Sequence, residues 1–284
     1  MDRLTLELQT FDVAAPEAAS AREFADLVGR RVAEAWDDGA DAVLLPELLW
    51  MGLARFVDGA DSTRAVAELF RGELWPRLSE SLRRPGKAAV LGTVPWAVDG
   101  GVLLNRAPIV SDGRELHQDK LNLTPWETGL RGGDTLRIWD FGGVRCAVVI
   151  CLDIEVPEIS AALRGQAVDL VLVPSATENI LGVERVGRCA DARAVELCCH
   201  VGLTHLVGDI NSSLVDANVG RLGVFSPSQS AFGASPRQRV SEVVSSGFHR
   251  LRVELDIAAL RRQRDLALET NPARLRPGAP RVEA

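Results

Sequence analysis

The chain has 284 residues, 46% hydrophobic and 25% charged, enough to bury a substantial core in one large α/β domain or two small ones. Its formal net charge of −7, with no basic block, removes any electrostatic case for nucleic acid or an anionic membrane surface. The apolar runs are too short to cross a bilayer, and the opening MDRLTLELQTFDVAAPE carries no signal-peptide core, so a cytoplasmic location is expected.

LTLELQTF reads as a strand, and residues 15–39 as a helix with Phe24, Leu27, Val28, Val32 and Trp36 near a 3.6-residue period, ended by Gly39. DAVLLPE is a short run of buried-strand type. A second helix over 61–84 leads into a strand, AAVLGTVPW. Residues 103–120 form a hairpin turning at Asp112-Gly113. The run RCAVVIC precedes a helix through VPEISAALRGQ, then the strand VDLVLVPSA and a third helix, GVERVGRCADARAVELCC. HVGLTHLVGD and FHRLRVELD read as further strands. Residues 271–284 hold prolines and no apolar period, and read as an extended or disordered tail behind one domain spanning 1–270.

One echo stands out. D-A-V-L-L-P at 41–46 and D-L-V-L-V-P at 169–174 both follow a helix and a glycine-containing loop, as two similar halves of a sheet would. Glu47 and Ser175 come directly after them, and Cys151 follows another apolar run. Sites in α/β folds form just past the carboxyl ends of strands.

The five cysteines form no C-x-x-C pair and their number is odd, which fits reduced thiols better than a disulfide framework. The glycosylation sequons at Asn122 and Asn211 then carry no meaning. The four histidines lack metal-ligand spacing, so neither a metal nor another cofactor is expected.

Three segments carry reactive groups: LLPELLW with Glu47, HQDKLNLTPWE with Lys120 and Glu127, and AVVICLDIEVPEIS with Cys151. Singly, each has a plain structural reading: a solvated loop acid, a snorkelling lysine, a small core thiol. Together they supply a nucleophile, a proton acceptor and a cation for an oxyanion.

The same segments carry a resemblance. PELLW, DKLNLTPWE and ICLDIEVPEIS match, in order, the glutamate, lysine and cysteine motifs of the nitrilase superfamily of carbon–nitrogen hydrolases, with Glu127 seven residues after Lys120. The flanks GADAVLLPE, ALRGQAVDLVLVPSA and ARAVE agree, and the likeness spans roughly residues 4–260. It implies a four-layer α-β-β-α sandwich that pairs into a homodimer or higher oligomer. It implies Cys151 as nucleophile, Glu47 as general base and acid, Lys120 as oxyanion partner with the backbone N–H of Leu152, and Glu127 as an orienting acid. It also implies a small-molecule amide or carbamoyl substrate, with acyl transfer and a silent binding subunit as rival readings.

Other residues follow from this. Asp153, Trp126, Ser175 and Thr177 are expected to line the pocket. Glu155 and Glu158 are expected to serve a helix start beside Pro157, outside catalysis. Arg193 and Glu196, three residues apart, read as an ion pair, and Cys198-Cys199 as helix-end packing. Leu152 stands where many members of the superfamily have tyrosine, and Asn122 where histidine is common. The pair Leu152-Asp153 is closer to the amidase pattern at the acid than to the Trp-Glu pair of true nitrilases, and matches neither at the aromatic position.

Overall fold

The computed structural model describes residues 1–14, 18–58, 61–210, 212, 214–232, 238–266 and 272. Strands β1 (Arg3–Gln9), β2 (Ala42–Leu45), β3 (Ala88–Leu91), β4 (Val94–Ala97), β5 (Leu103–Ser111), β6 (Arg114–Asp119) and β7 (Leu130–Arg131) come first. They are followed by β8 (Ile138–Phe141), β9 (Val144–Val148), β10 (Leu170–Ser175), β11 (His200–His205), β12 (Gly223–Phe225), β13 (Gln238–Val240) and β14 (Arg250–Asp256). The helices are α1 (Ala21–Asp37), α2 (Ser62–Leu69), α3 (Trp75–Ser81), α4 (Pro157–Leu163), α5 (Ile180–Leu197) and α6 (Ile257–Leu266).

One sheet runs β14-β1-β2-β3-β5-β4, with β6 and β7 also paired to β5, and the other runs β13-β12-β11-β10-β9-β8. The two-residue period of β1 puts Leu4, Leu6 and Leu8 on one face, where they share a core with Leu172 and Leu203 of the second sheet. All three leucines are fully buried. At about 1.5–3 kcal/mol for each such side chain, truncating one removes a large part of a domain's usual net stability. Gly202 on β11 keeps the sheets close, since a Cβ there would lie 2.7 Å from a Leu6 methyl carbon.

The opposite face of the first sheet, with Val43, Leu45, Ala89 and Leu91, packs under α1 and α3 through Val28, Val32, Trp36, Trp75 and Leu78. Leu163 of α4 and Val186, Ala190, Ala194 and Leu197 of α5 join the core that the second sheet shares with the first. The order is helix, sheet, sheet, helix: the four-layer sandwich.

Several boundaries differ from the sequence reading. Helix α1 begins at Ala21, because Ser20 Oγ accepts from Glu23 N (3.2 Å) while the Glu23 carboxylate accepts from Ala19 N (2.9 Å). The stretch 61–84 is interrupted by a π turn at Phe70–Leu74, where Trp75 N–H reaches back to Phe70 O. Pro76 follows at once and has no N–H to continue the ordinary ladder. AAVLGTVPW is two strands, split at Gly92. The hairpin turns at Asp112-Gly113 as expected, both with positive φ. β12, β13 and α6 were not anticipated. Of the proposed tail only Pro272 is described, and Asn211 lies outside the described residues. Among the described residues, no helix is long and apolar enough to cross a membrane.

Candidate active site

The two echoed segments occupy matching places, β2 central in one sheet and β10 central in the other, each between parallel neighbours. Past β2 the chain turns sharply, with Leu48 in the left-handed region at φ 56°. Gly92 makes this turn possible. Its φ is 68°, and a Cβ there would come within 2.3 Å of Pro46 O. Thr93 closes the clasp, its hydroxyl accepting from Leu48 N (2.8 Å). The glycine that splits β3 from β4 is thus the one that seats Glu47.

Lys120 follows β6. Its N–H bonds Asn105 O (2.8 Å), and its carbonyl accepts from Gly133 N (2.8 Å). Asp153 pins the next two residues, accepting from Leu121 N (3.0 Å), Asn122 N (2.7 Å) and Asn122 Nδ2 (2.9 Å). Cys151 opens a short 3₁₀ turn after β9 with φ 46°, a conformation that a residue with a side chain keeps only when its surroundings enforce it.

These elements bring four predicted residues together. Lys120 Nζ donates to Glu47 Oε1 (2.8 Å) and Glu127 Oε2 (2.6 Å), with all three side chains buried. Asn105 Nδ2 donates to Glu47 Oε1 (3.0 Å) and Glu127 Oε1 (2.8 Å). Glu47 Oε2 accepts from Ala176 N (3.0 Å), just past β10. Glu127 Oε2 also accepts from Thr124 N (2.8 Å) and Thr124 Oγ1 (3.1 Å). Ser175 Oγ donates to Cys151 Sγ (3.2 Å), and the single thiol proton has two acceptors in reach, Ala176 O at 3.6 Å and the Glu47 carboxylate.

Burial pushes the Glu47 carboxyl up, opposed by Lys120 and the Cys151 thiol. Burial pulls the Lys120 ammonium down, but Glu47, Cys151 and Glu127 together hold it above its ordinary value. Burial, with Glu47 adding to it, pushes the Cys151 thiol up to about 12 against the pull of Lys120, Ser175 and Ala176. The resting site is therefore a neutral thiol beside a fixed cation.

The group lies at one end of a cavity of about 410 Å³ that is also lined by Leu152, Thr177, Asn218, Glu155 and Arg185, with Trp126 at its exposed rim. A larger groove of about 670 Å³ runs between α1 and α3, but its lining holds no thiol and no lysine, so size does not mark the site here.

Two pocket assignments need correction. Asp153 is not among the lining residues; its carboxylate is spent on the loop that carries Lys120. Ser175 is fully buried and stands behind the thiol rather than in the cavity. Glu155 moves the other way: it lines the cavity and pairs with Arg185 (2.7 Å) instead of serving only a helix start. Thr177 lines the wall, its hydroxyl donating to Val219 O (2.8 Å). Arg193 and Glu196 do form an ion pair (2.9 Å), and Arg193 also reaches Ile154 O (3.2 Å). The sequence reading missed Asn105 and Thr124. The signal for Asn105 was its place in L-L-N-R-A-P-I, on the same strand face as the core residues Ala107 and Ile109.

A family model described as carbon-nitrogen hydrolase matches residues 13–231. The chain belongs to the carbon-nitrogen hydrolase family. It is 28% identical over 252 residues to the probable hydrolase YhcX of Bacillus subtilis, covering 86% of this chain and 48% of that protein. It is 32% identical over 160 residues to an (R)-stereoselective amidase of Pseudomonas sp., covering 55% of this chain and 56% of the other. The chain thus spans about half the length of the curated relatives it matches. Among solved structures, Saccharomyces cerevisiae Nit3, a member of branch 10 of the nitrilase superfamily, superposes with a TM-score of 0.69 at 19% identity, covering 96% of this chain and 97% of that one. An amidase from Nesterenkonia sp. gives 0.65 at 21% identity, covering 93% and 94%. These structural likenesses speak to the fold.

Proposed function

We propose that this chain is a thiol amidohydrolase that cleaves the C–N bond of a small linear amide or carbamoyl compound through a thioester on Cys151. The observation that carries this reading is the buried Glu47–Lys120–Glu127 network beside a cysteine held in the left-handed region at a cavity wall. A thiol with so high a pKa reacts only if a base takes its proton during attack. Glu47 Oε1 already accepts from Lys120 and Asn105, so Oε2 is the oxygen with room for that proton.

The steps balance. The S–C bond forms as the thiol proton passes to Glu47, and negative charge gathers on the carbonyl oxygen. Lysine has three N–H donors, and two are engaged with the glutamates, which leaves one for the oxyanion. Leu152 N–H, in the leading part of a turn where N–H groups lack partners within the turn, supplies a second donor. The C–N bond then breaks as Glu47 protonates the nitrogen, and ammonia or an amine leaves. Water attacks the thioester and gives a proton to Glu47; the C–S bond then breaks, the acid is released, and Glu47 returns that proton to the sulfur, restoring the thiol and the carboxylate.

The fold neighbours support the choice of nucleophile. An amidase variant from Nesterenkonia sp. AN1 carries the acetamide moiety of fluoroacetamide covalently at its active-site cysteine. Amides suit the site better than nitriles, because an amide oxygen becomes a full oxyanion facing Lys120 and its nitrogen needs one proton to leave. The lining also carries Glu155, Glu178 and Asp216 against Arg185, which favours polar acyl groups over anionic ones.

The test is ammonia release from one acyl group presented as its amide, its nitrile and its carbamoyl analogue, by the wild type and by Cys151→Ser. The amide should give the highest kcat/KM. The serine variant should stay folded and lose nearly all turnover, since the change in volume is small. Retention of more than a few per cent of the rate would remove Cys151 as nucleophile.

A further inference from the structure

We infer that Asn105 is a positioning residue that gives Glu47 and Glu127 each a neutral donor around a single lysine and leaves one oxygen of Glu47 open to the Cys151 proton. The inference rests on the reading of Glu47 as the base of a thiol amidohydrolase.

The site packs two carboxylates against one ammonium with all three side chains out of water, so one negative charge is left over. Like charges in a buried site drive one of them to take a proton. Asn105 answers this without adding a charge. It is fully buried, and its one side-chain nitrogen, with two N–H groups, lies 3.0 Å from Glu47 Oε1 and 2.8 Å from Glu127 Oε1. Turning the amide over would aim its oxygen at both carboxylates, so the two acids dictate its orientation.

The other end of the amide shows what this arrangement sacrifices. Asn105 Oδ1 is buried and has no hydrogen-bond partner among the described residues. A strand residue kept only for packing would gain by losing that orphaned acceptor, since Ala107 and Ile109 share its face and belong to the apolar core. The side chain is useful for its donors.

Those donors have two consequences. Glu47 Oε1 is filled by Lys120 and Asn105, so proton traffic is confined to Oε2, where Ala176 N–H leaves one lone pair open. Each carboxylate also receives a neutral donor, so Lys120 serves both with two N–H groups and keeps its third. The charged and titratable groups facing Glu47 are Lys120 and Glu127 from the segment after β6 and Cys151 from the turn after β9; β10 contributes the uncharged Ser175 hydroxyl and the Ala176 N–H just past its end.

The experiment follows carboxamidomethylation of Cys151 by iodoacetamide as a function of pH, with peptide mapping, in the wild type, Asn105→Asp and Asn105→Ala. The kcat/KM profile for the best amide is measured beside it. In the wild type, labelling should slow on the acid side as Glu47 takes a proton. In both variants that acid limb should move up by about one pH unit or more, the size expected for losing a hydrogen bond to a charged group. Turnover should fall through kcat more than through KM.

A folded variant whose acid limb coincides with that of the wild type overturns the inference. Should Asn105→Asp fail to fold, Asn105→Ala, which brings no new charge, carries the same test. Unfolding of both would make Asn105 a structural residue and overturn it as well. Absence of selective labelling at Cys151 in the wild type is a separate outcome, which sinks the reading of Glu47 and Cys151 and the inference with it.

Discussion

The ends of β2 and β10 are built alike and used differently. At β2, Asp41 N donates to Thr5 O, its carboxylate accepts from Thr5 N (2.9 Å), and its carbonyl accepts from Ala88 N. At β10, Asp169 N donates to Arg145 O, its carboxylate accepts from Arg145 N (3.0 Å), and its carbonyl accepts from His200 N. Each aspartate thus ties its strand to both parallel neighbours, and each strand then runs through V-L-x-P. Past the prolines the copies diverge. The first delivers Glu47, a buried carboxylate; the second delivers Ser175 and the Ala176 N–H, neutral donors to the Cys151 sulfur and to that carboxylate. Repetition accounts for the scaffold. The single residue after each proline accounts for the division of labour.

The sharpest way to break this contrast is to remove the charge from the first copy. Glu47→Gln keeps the shape but loses the proposed proton acceptor, and kcat should fall at least as far as when one oxyanion donor is lost, on the order of 10²–10³. Lys120→Ala should cost a similar factor in kcat with a smaller change in KM, because the oxyanion role proposed for it sets its charge against the transition state. A change confined to KM would make Lys120 a substrate anchor.

The aspartates before the two strands should differ in stability. Asp169 is almost fully buried and is held by Arg261 (2.7 Å) and Arg264 (2.8 Å) of α6, whereas Asp41 is partly exposed and meets Lys87 at 3.4 Å. Asp169→Ala removes the carboxylate partner of Arg264, which is itself mostly buried and would keep uncharged carbonyl acceptors such as Cys198 O (2.9 Å), and should cost about 3 kcal/mol. Asp41→Ala should cost about 1 kcal/mol. Urea midpoints at fixed m-value measure both, and equal losses would mean that α6 adds nothing to the second copy.

The extent to which these features were legible in the sequence follows their physics. Glu47, Lys120, Glu127 and Cys151 were legible because PELLW, DKLNLTPWE and ICLDIEVPEIS together resemble, in order, the three motifs of the nitrilase superfamily; singly, each residue also had a plain structural reading. β1 and α1 were legible because their apolar periods are long, whereas the π turn that divides 61–84 left no mark in the sequence pattern. β12 and β13, three residues each, are too short to show a period, and α6 was passed over. Asp153 was misplaced because sequence proximity to Cys151 does not say which way a carboxylate points; it bonds the backbone of Leu121 and Asn122 instead. Asn105 looked like an interruption in a strand, because its two partners lie 58 and 22 residues away.

Acid should loosen the second copy before the first. β10 is flanked by β11, whose His200 and His205 stand in register with Leu170 and Ser175, while β3 offers Ala88 and Leu91 to the ends of β2. Burial pulls both imidazoles down to about 4 from the ordinary value near 6.5. Between those values the unfolded chain binds more protons than the folded one, so stability drops as pH falls from about 6.5 to about 4. The slope is about 1.4 kcal/mol per pH unit for each histidine. His205→Asn should flatten it by about one such unit; an unchanged slope would place the acid sensitivity elsewhere.

The smallest effect should come from Ser175→Ala, and its smallness is the point. Ser175 Oγ gives one neutral hydrogen bond to the Cys151 sulfur at 3.2 Å, from a fully buried position behind the thiol. That donor helps hold the thiol pKa below where burial alone would set it, and it also fixes the direction of the sulfur. Losing it leaves Glu47, Lys120 and the strained Cys151 backbone untouched. A neutral hydrogen bond is worth about 0.5–1.5 kcal/mol, so kcat should fall roughly two- to tenfold, with the acid limb of the pH profile unmoved because Glu47 keeps all its partners. Measured beside Glu47→Gln under the same conditions, the two substitutions ask one question of the two matching positions. A loss for Ser175→Ala as large as for Glu47→Gln would mean that the second copy takes part in the chemistry itself, and that the proton from Cys151 travels through the serine hydroxyl rather than straight to the glutamate.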